Sequence, residues 1–309
     1  MAELFIEDAD LVNLKGKVVI VTGGSSGIGL ATVNLLLSHG ASVVSADINS
    51  PPEQAATTSG GGAFLFVKTD VASWRDLCAL FAAAQAQYSR IDGVFANAGI
   101  GPRANYLALE TSDDDGELIE PSTQALDVML RGVINTACLA AHYMKQQQPP
   151  AGSIVLMGSS TGLQPLRIPD YCKSRNPTSS PRTTAKHGVL GFGRGFSRLM
   201  SVTGLPIRVN TLMPSWTATN LLPDISGIAP GVSNTGAVQD GPIVARAAAF
   251  LLVDEARQGD VVFVHRGKYT EIEKAVLAPA REAIQGGPAE LSDDEVVERI
   301  LARNASVEG

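Results

Sequence analysis

Gly23, Gly24, Gly27 and Gly29 punctuate the segment Thr22-Gly-Gly-Ser-Ser-Gly-Ile-Gly29, which leaves the apolar run KVVIVTG and enters a helical pattern. Glycines at this spacing allow a tight turn and a close approach of backbone to ligand. A helix start adds free N–H groups and a positive dipole end, so the chemistry implied is the holding of a pyrophosphate. The backbone of Gly23, Ser25, Ser26, Gly27, Ile28 and Gly29 is the expected cradle. Asp47 lies eighteen residues past Gly29, at the end of the next apolar run. A carboxylate there accepts hydrogen bonds from an adenosine ribose and repels a 2′-phosphate. No Arg or Lys stands at Gly24–Ser26 or Ile48–Asn49, so NAD is expected in preference to NADP.

Other chemistries find little support. The four histidines (His39, His142, His187, His265) and three cysteines (Cys78, Cys138, Cys172) have neither metal-ligand nor disulfide-framework spacing. No metal is expected, and a reducing, cytoplasmic compartment is. Lys and Arg number 24 against 31 Asp and Glu, and aromatic residues make up only 5%. With no basic run, nucleic acid is disfavoured as a partner. No window reaches the roughly 18 apolar residues of a membrane span, and the first residues lack the cationic start and apolar run of a secretory signal. A small molecule is the expected ligand.

Positioning such a loop takes alternating elements. KVVIVTG, ASVVSAD, AFLFVKTD, IDGVFANAG, GSIVLMGSS, IRVNTLMP and QGDVVFVH read as short buried strands. Helical spacing covers Gly27–His39, Ser73–Tyr88, Thr123–Gln147, Lys186–Thr203 and Gly241–Asp254. This alternation predicts an α/β chain with a doubly wound parallel sheet. The stretch Gly101–Ser122, with its acidic run Asp113–Asp115, reads as a loop. The expected organisation is an N-terminal extension (1–14), one domain (15–276) and a tail (277–309). In the tail, Ser292-Asp-Asp-Glu295 is a capping-box pattern opening a short amphipathic helix with Val296, Val297, Ile300 and Leu301 on its apolar face.

Four separated pieces then point to one family. TGGSSGIG matches TGxxxGxG; Asp70-Val71 matches a pair that flanks adenine; Ala96-Asn97-Ala98-Gly99 matches NNAG with its first Asn replaced; and Ser159 is followed by Tyr171. On these motifs the chain, over roughly residues 14–275, resembles the short-chain dehydrogenase/reductase family, and within it the NAD-dependent, 15-hydroxyprostaglandin-dehydrogenase-like group. The resemblance implies a single-domain Rossmann fold that interconverts a secondary alcohol and a ketone with NAD(H). It also implies a homodimer or homotetramer through the helices around 123–147 and 186–203. Tyr171 then gives or takes the carbinol proton. Its pKa, ordinarily near 10, must be lowered by a neighbouring cation. That cation is a Lys one helical turn on, here Lys186, which also holds the nicotinamide ribose. Ser159 steadies the substrate oxygen, Asp70, Val71, Asn97 and Gly99 line the cofactor, and Thr219 in Pro214-Ser-Trp-Thr-Ala-Thr219 matches the residue that binds its carboxamide.

Two departures bear on activity. In Asp127-Val-Met-Leu-Arg-Gly132, Met129 replaces the family's Asn, which anchors a water of the proton relay; a thioether cannot do so. Eleven residues, Arg175–Ala185 (RNPTSSPRTTA), separate Tyr171-Cys-Lys-Ser174 from Lys186-His-Gly-Val-Leu-Gly-Phe192. Their two prolines and five Ser/Thr predict a segment that cannot continue a helix. Arg175 takes the place four after Tyr171, but its planar, always charged fork is unsuited to relaying a proton. Three readings stand. The insert loops out and leaves Lys186 in place; or it impairs hydride transfer, turning an NAD-binding scaffold to binding, isomerisation or cyclisation; or it reflects a mis-set exon boundary. The segment Asn220–Gly241, with Leu221, Leu222, Ile225, Ile228 and Val232 and no cation, suits an apolar, uncharged substrate such as a secondary metabolite of sterol, terpenoid or polyketide type.

Overall fold

A computed structural model of the chain describes residues 3–53, 61–101, 109–112, 114–163, 180–219, 238–287, 295–296, 299–300 and 303. Its strands are β1 (Glu3–Leu4), β2 (Val18–Thr22), β3 (Ser42–Asp47), β4 (Phe64–Lys68), β5 (Gly93–Ala96), β6 (Gly152–Met157), β7 (Ile207–Pro214), β8 (Thr217–Ala218), β9 (Gln239–Asp240), β10 (Val261–His265) and β11 (Lys268–Glu271). The helices are α1 (Gly27–Ser38), α2 (Trp74–Tyr88), α3 (Gln124–Leu126), α4 (Gly132–Gln146), α5 (Ser180–Val202), α6 (Gly241–Val253) and α7 (Ala278–Ile284).

The main sheet runs β1-β11-β10-β7-β6-β5-β2-β3-β4, and from β10 to β4 every pairing is parallel. Alternation along each strand decides which layer it feeds. Ile20, Val44, Ile154 and Leu156 face a cluster with Leu77, Phe81, Val133, Ala185 and Val189, so α2, α4 and α5 cover that side. Val19, Val21, Val43 and Val155 face the opposite cluster with Val33, Leu36, Val244 and Leu251, so α1 and α6 cover the other. Strand order reverses between β2 and β5, which opens a crevice at their carboxyl ends where α/β sheets bind ligands.

The seven expected strands are present as β2 to β7 and β10, and the doubly wound parallel sheet is the observed core. Its edge differs. His265-Arg266-Gly267-Lys268 closes a tight hairpin with positive φ at Arg266 and Gly267, and β11 returns antiparallel to β10. The N-terminal residues then add β1 antiparallel to β11. Leu11 and Leu14 are buried, and Arg246 of α6 donates from Nε to the Ile6 carbonyl at 2.9 Å. Among the described residues of the expected loop 101–122, Thr111 bridges to Leu118. The tail gains α7, which had not been expected. Of its capping-box helix, Ser292, Val297 and Leu301 lie outside the described residues, and Glu295 and Val296 are helical.

Two findings correct the helix readings. Residues 180–185 of the insert are helical: α5 starts at Ser180, well before Lys186. Pro181 stands in the first turn, where a missing N–H breaks no intrahelical bond, so the proline that was expected to stop a helix opens one. The long helix 123–147 is interrupted at Asp127–Arg131 by a π turn, so that α3 and α4 flank it. Among the described residues no helix is long and apolar enough to cross a membrane, and no group of three or more His, Cys, Asp or Glu is placed to hold a metal.

Candidate active site at the carboxyl edge of the sheet

The glycine loop connects β2 to α1 and is held from several directions. Asn97, just past β5, donates from Nδ2 to the carbonyls of Thr22 (3.0 Å) and Gly23 (3.3 Å). Thr22 Oγ1 accepts the N–H groups of Asn97 and Ala98 at 3.0 and 3.2 Å. The packing leaves no room for a side chain at Gly29. A Cβ there would lie 2.7 Å from Asn97 Nδ2 and 2.8 Å from the Gly23 carbonyl carbon, with the Gly23 oxygen nearer still. Over the start of α1, a Cβ on Gly27 would come within 3.1 Å of Thr219 Cγ2. The structure thus brings Gly23, Gly27, Gly29, Asn97 and Thr219 together. Thr22 was not singled out in the sequence, although its place ahead of the first glycine was the available signal.

Asp47 ends β3 beside this loop. Its Oδ2 accepts the Ser25 N–H at 3.1 Å and its Oδ1 the Asn49 N–H at 3.0 Å. An ionised carboxylate has about four acceptor positions, so two remain for further donors. Ser25 donates its hydroxyl proton to the Asn49 carbonyl at 2.7 Å, which ties the loop to the residues after β3. Ser26 precedes the first turn of α1 in extended backbone, and Ile28 lies within that turn. Beyond β4, Asp70 Oδ1 accepts the Ala72 N–H at 2.9 Å, and Val71 is buried against Gly132 at the start of α4. Gly99 is less crowded: a Cβ there would be 3.7 Å from Met129 Sδ. This cradle fits a dinucleotide, since backbone is bare where phosphates need it and a fixed carboxylate stands at the ribose end.

Two of the three catalytic candidates, Ser159 and Lys186, are described near the end of β6. Ser159 is 5% exposed and its Oγ accepts the Thr161 N–H at 3.3 Å. Lys186 is 3% exposed, and its Nζ donates to the Met157 carbonyl, two residues before Ser159, at 2.6 Å. Gly162 allows this approach, because a Cβ there would sit 2.6 Å from the Lys186 carbonyl oxygen. Burial, and then the charge of Arg182 one turn earlier on the same helix, push the Lys186 ammonium down to about 7. Arg182 belongs to the insert, and the sequence offered no sign of its role because the insert was not read as helical. Thr161 is another buried hydroxyl at this strand end, and its Oγ1 has no hydrogen-bond partner among the described residues. Met129 is buried in the π turn. Tyr171, Arg175 and the apolar residues between 220 and 237 lie outside the described residues.

Buried Ser159 lies just past β6, the amine of Lys186 reaches the same strand from α5, and a glycine-rich turn with the Asp47 carboxylate beside it opens α1 on the same edge of the sheet, an arrangement suited to a dinucleotide. The family model for short chain dehydrogenase matches residues 17–229. The chain is 42% identical over 307 residues to short-chain dehydrogenase/reductase ascJ of Acremonium egyptiacum, covering 97% of this chain and 96% of that one. It is 29% identical over 221 residues to the 15-hydroxyprostaglandin dehydrogenase [NAD(+)] of Mus musculus, covering 69% and 72%. The crystal structure of levodione reductase superposes with a TM-score of 0.67 at 25% identity, covering 82% of this chain and 97% of that one. The chain belongs to the short-chain dehydrogenase family, oxidoreductases that act on alcohols and ketones with NAD(P).

Proposed function

We propose that the chain interconverts a secondary alcohol and the matching ketone on an apolar small molecule, using NAD(H). The observation that carries this reading is the convergence at the end of β6: Lys186 Nζ held on the Met157 carbonyl, two residues from Ser159. Gly23, Ser25, Ser26, Gly27, Ile28 and Gly29 would hold the pyrophosphate, Asp47 the adenosine ribose, and Asp70 and Val71 the adenine. Asn97 and Gly99 would back the loop, and Thr219 would face the carboxamide. When bound, the nicotinamide supplies the hydride acceptor or donor. The Ser159 oxygen accepts from Thr161, which leaves its own proton for the substrate oxygen as charge develops there. Tyr171 would take or give the carbinol proton, with Lys186 as its neighbour.

The Asp47 carboxylate, oriented by two backbone N–H groups, supports NAD over NADP, since a 2′-phosphate would meet a fixed negative charge. A homodimer or homotetramer in a reducing, cytoplasmic setting accords with this reading. Titration with NADH and NADPH, then a panel of apolar secondary alcohols followed by NADH absorbance, tests it. Tighter binding of NADH by at least about tenfold, which is 1.4 kcal/mol, and turnover of at least one alcohol are expected. Equal binding of the two cofactors refutes the NAD preference.

Met129 favours a second reading, an NAD-binding chain with lost or altered redox chemistry, because a buried thioether offers no anchor for a relay water. Cofactor binding without turnover across the panel supports it.

A further inference from the structure

Strands β8 and β9 form a small parallel sheet outside the main one, pairing Thr217 with Gln239 and Ala218 with Asp240. Two strands of two residues make too few ladder bonds to hold themselves in place. The side chain of Gln239 supplies the rest. It is 4% exposed, and a buried primary amide must place two N–H donors and an oxygen. Its Nε2 donates to the Val264 carbonyl near the end of β10 at 3.0 Å and to Thr217 Oγ1 of β8 at 3.3 Å. Its Oε1 accepts the Gly267 N–H, in the turn between β10 and β11, at 3.3 Å. The same Val264 carbonyl accepts the Ser215 N–H at 2.8 Å, and Thr217 Oγ1 donates onward to the Ser215 carbonyl at 2.9 Å. Behind this brace the hairpin is pinned to α6, since Tyr269 Oη donates to the Ile243 carbonyl at 3.0 Å.

The braced strand leads straight to the glycine turn. Thr219, two residues past Thr217, lies over the start of α1, where a Cβ on Gly27 would meet its Cγ2 at 3.1 Å and its Cβ at 3.2 Å. The other strand arrives at the same place: Asp240 precedes α6, and a Cβ on Gly241 would stand 3.7 Å from the Gly27 carbonyl oxygen. We propose that Gln239 is a positioning residue for the nicotinamide half of the cofactor, its amide fixing β8 on the end of β10 and so setting Thr219 against Gly27. The inference rests on the reading in which Thr219 faces the carboxamide, and it extends the site to a glutamine and a hairpin turn at the far edge of the sheet. The adenosine end has its own supports across the sheet, where Asp47 of β3 is oriented by the Ser25 and Asn49 N–H groups. The two halves of the cofactor therefore depend on different hydrogen bonds.

Two nucleotides separate this role from general damage: NADH, which carries the carboxamide, and AMP, which fills only the adenosine end. Gln239→Met keeps the length of the side chain and removes its hydrogen bonds. It should weaken NADH by about tenfold or more in fluorescence titration and leave AMP affinity, read by calorimetry, unchanged. In a Thr219→Ala background the same substitution should add little, because both changes act on one contact. Thr217→Val removes one arm of the brace and should weaken NADH in the same selective way, whereas Thr217→Ser keeps the hydroxyl and should not; this pair serves if Gln239→Met does not fold. A folded Gln239→Met chain that binds NADH like the natural chain overturns the proposal. So does an equal loss of NADH and AMP, or a full further loss in the Thr219→Ala background. NADH affinity unmoved by Thr219→Ala alone overturns the carboxamide reading and this inference with it, and failure of the redox reading would appear only in the alcohol panel.

Discussion

Gly29→Ala tests the cradle most sharply, because one methyl group must displace fixed backbone. The added Cβ would stand 2.8 Å from the Gly23 carbonyl carbon and 2.7 Å from Asn97 Nδ2. Carbon atoms rest at about 3.5 Å or more and the Gly23 carbonyl oxygen is nearer to the added Cβ than its carbon, so the loop and α1 must part by more than about 0.7 Å. The hydrogen bonds from Asn97 Nδ2 to Thr22 and Gly23 hold that gap and would weaken, each worth about 1 kcal/mol. With overpacking strain of about 1–3 kcal/mol, a loss near 2–3 kcal/mol in stability is expected. NADH affinity should fall by about tenfold or more. Gly99→Ala is the matched control, since its Cβ would meet only ordinary contacts at 3.7 Å, and it should stay within about 0.5 kcal/mol of the natural chain. Urea unfolding and NADH fluorescence titration of both variants read the outcome. A Gly29→Ala variant as stable as Gly99→Ala and as tight-binding as the natural chain would refute the close-approach argument.

Lys186 makes stability depend on pH. Its folded value is depressed to about 7, while an unfolded lysine holds its proton to about 10.4. The unfolded state therefore binds more protons between these values, and stability rises with pH across that window. Lys186→Met should be more stable than the natural chain at pH 6 by an amount on the order of 4 kcal/mol at most, with the gap closing towards pH 10. A gap that stays constant over denaturant titrations from pH 6 to 10 would contradict the buried charge. Asp47→Ser removes the carboxylate that repels a 2′-phosphate and frees the Ser25 and Asn49 N–H groups. It should narrow the NADH-over-NADPH preference by about tenfold or more, measured by competition titration. An unchanged ratio would place cofactor discrimination elsewhere.

Periodicity carried most of the fold. Val19, Ile20 and Val21 alternate between two apolar layers, and that pattern requires helices on both faces of the sheet. The hairpin to β11 was hidden because its turn is Arg266-Gly267, with Arg in a left-handed conformation that usually favours Asn or Asp, and because KYTE is a short polar strand. The insert misled for a different reason: Pro181 reads as a helix breaker in any interior position but is accommodated in a first turn. The π turn left no mark on the sequence, since its extra residue lies within a continuous helical pattern. At the site, the glycine loop and Asp47 were legible because their spacing follows from backbone geometry, and Asn97 through the motif that resembles the family's. The desolvation of Lys186 was not, as it depends on tertiary packing that sets α5 against the end of β6.

The central claim is that an interrupted Tyr–Lys pattern still supports hydride transfer. NADH formation from NAD and an apolar secondary alcohol, compared between the natural chain and Tyr171→Phe, tests it directly. The natural chain should produce NADH and Tyr171→Phe should not, with both binding NADH alike. Turnover retained in Tyr171→Phe, or binding without turnover in the natural chain over a broad alcohol panel, would contradict the account.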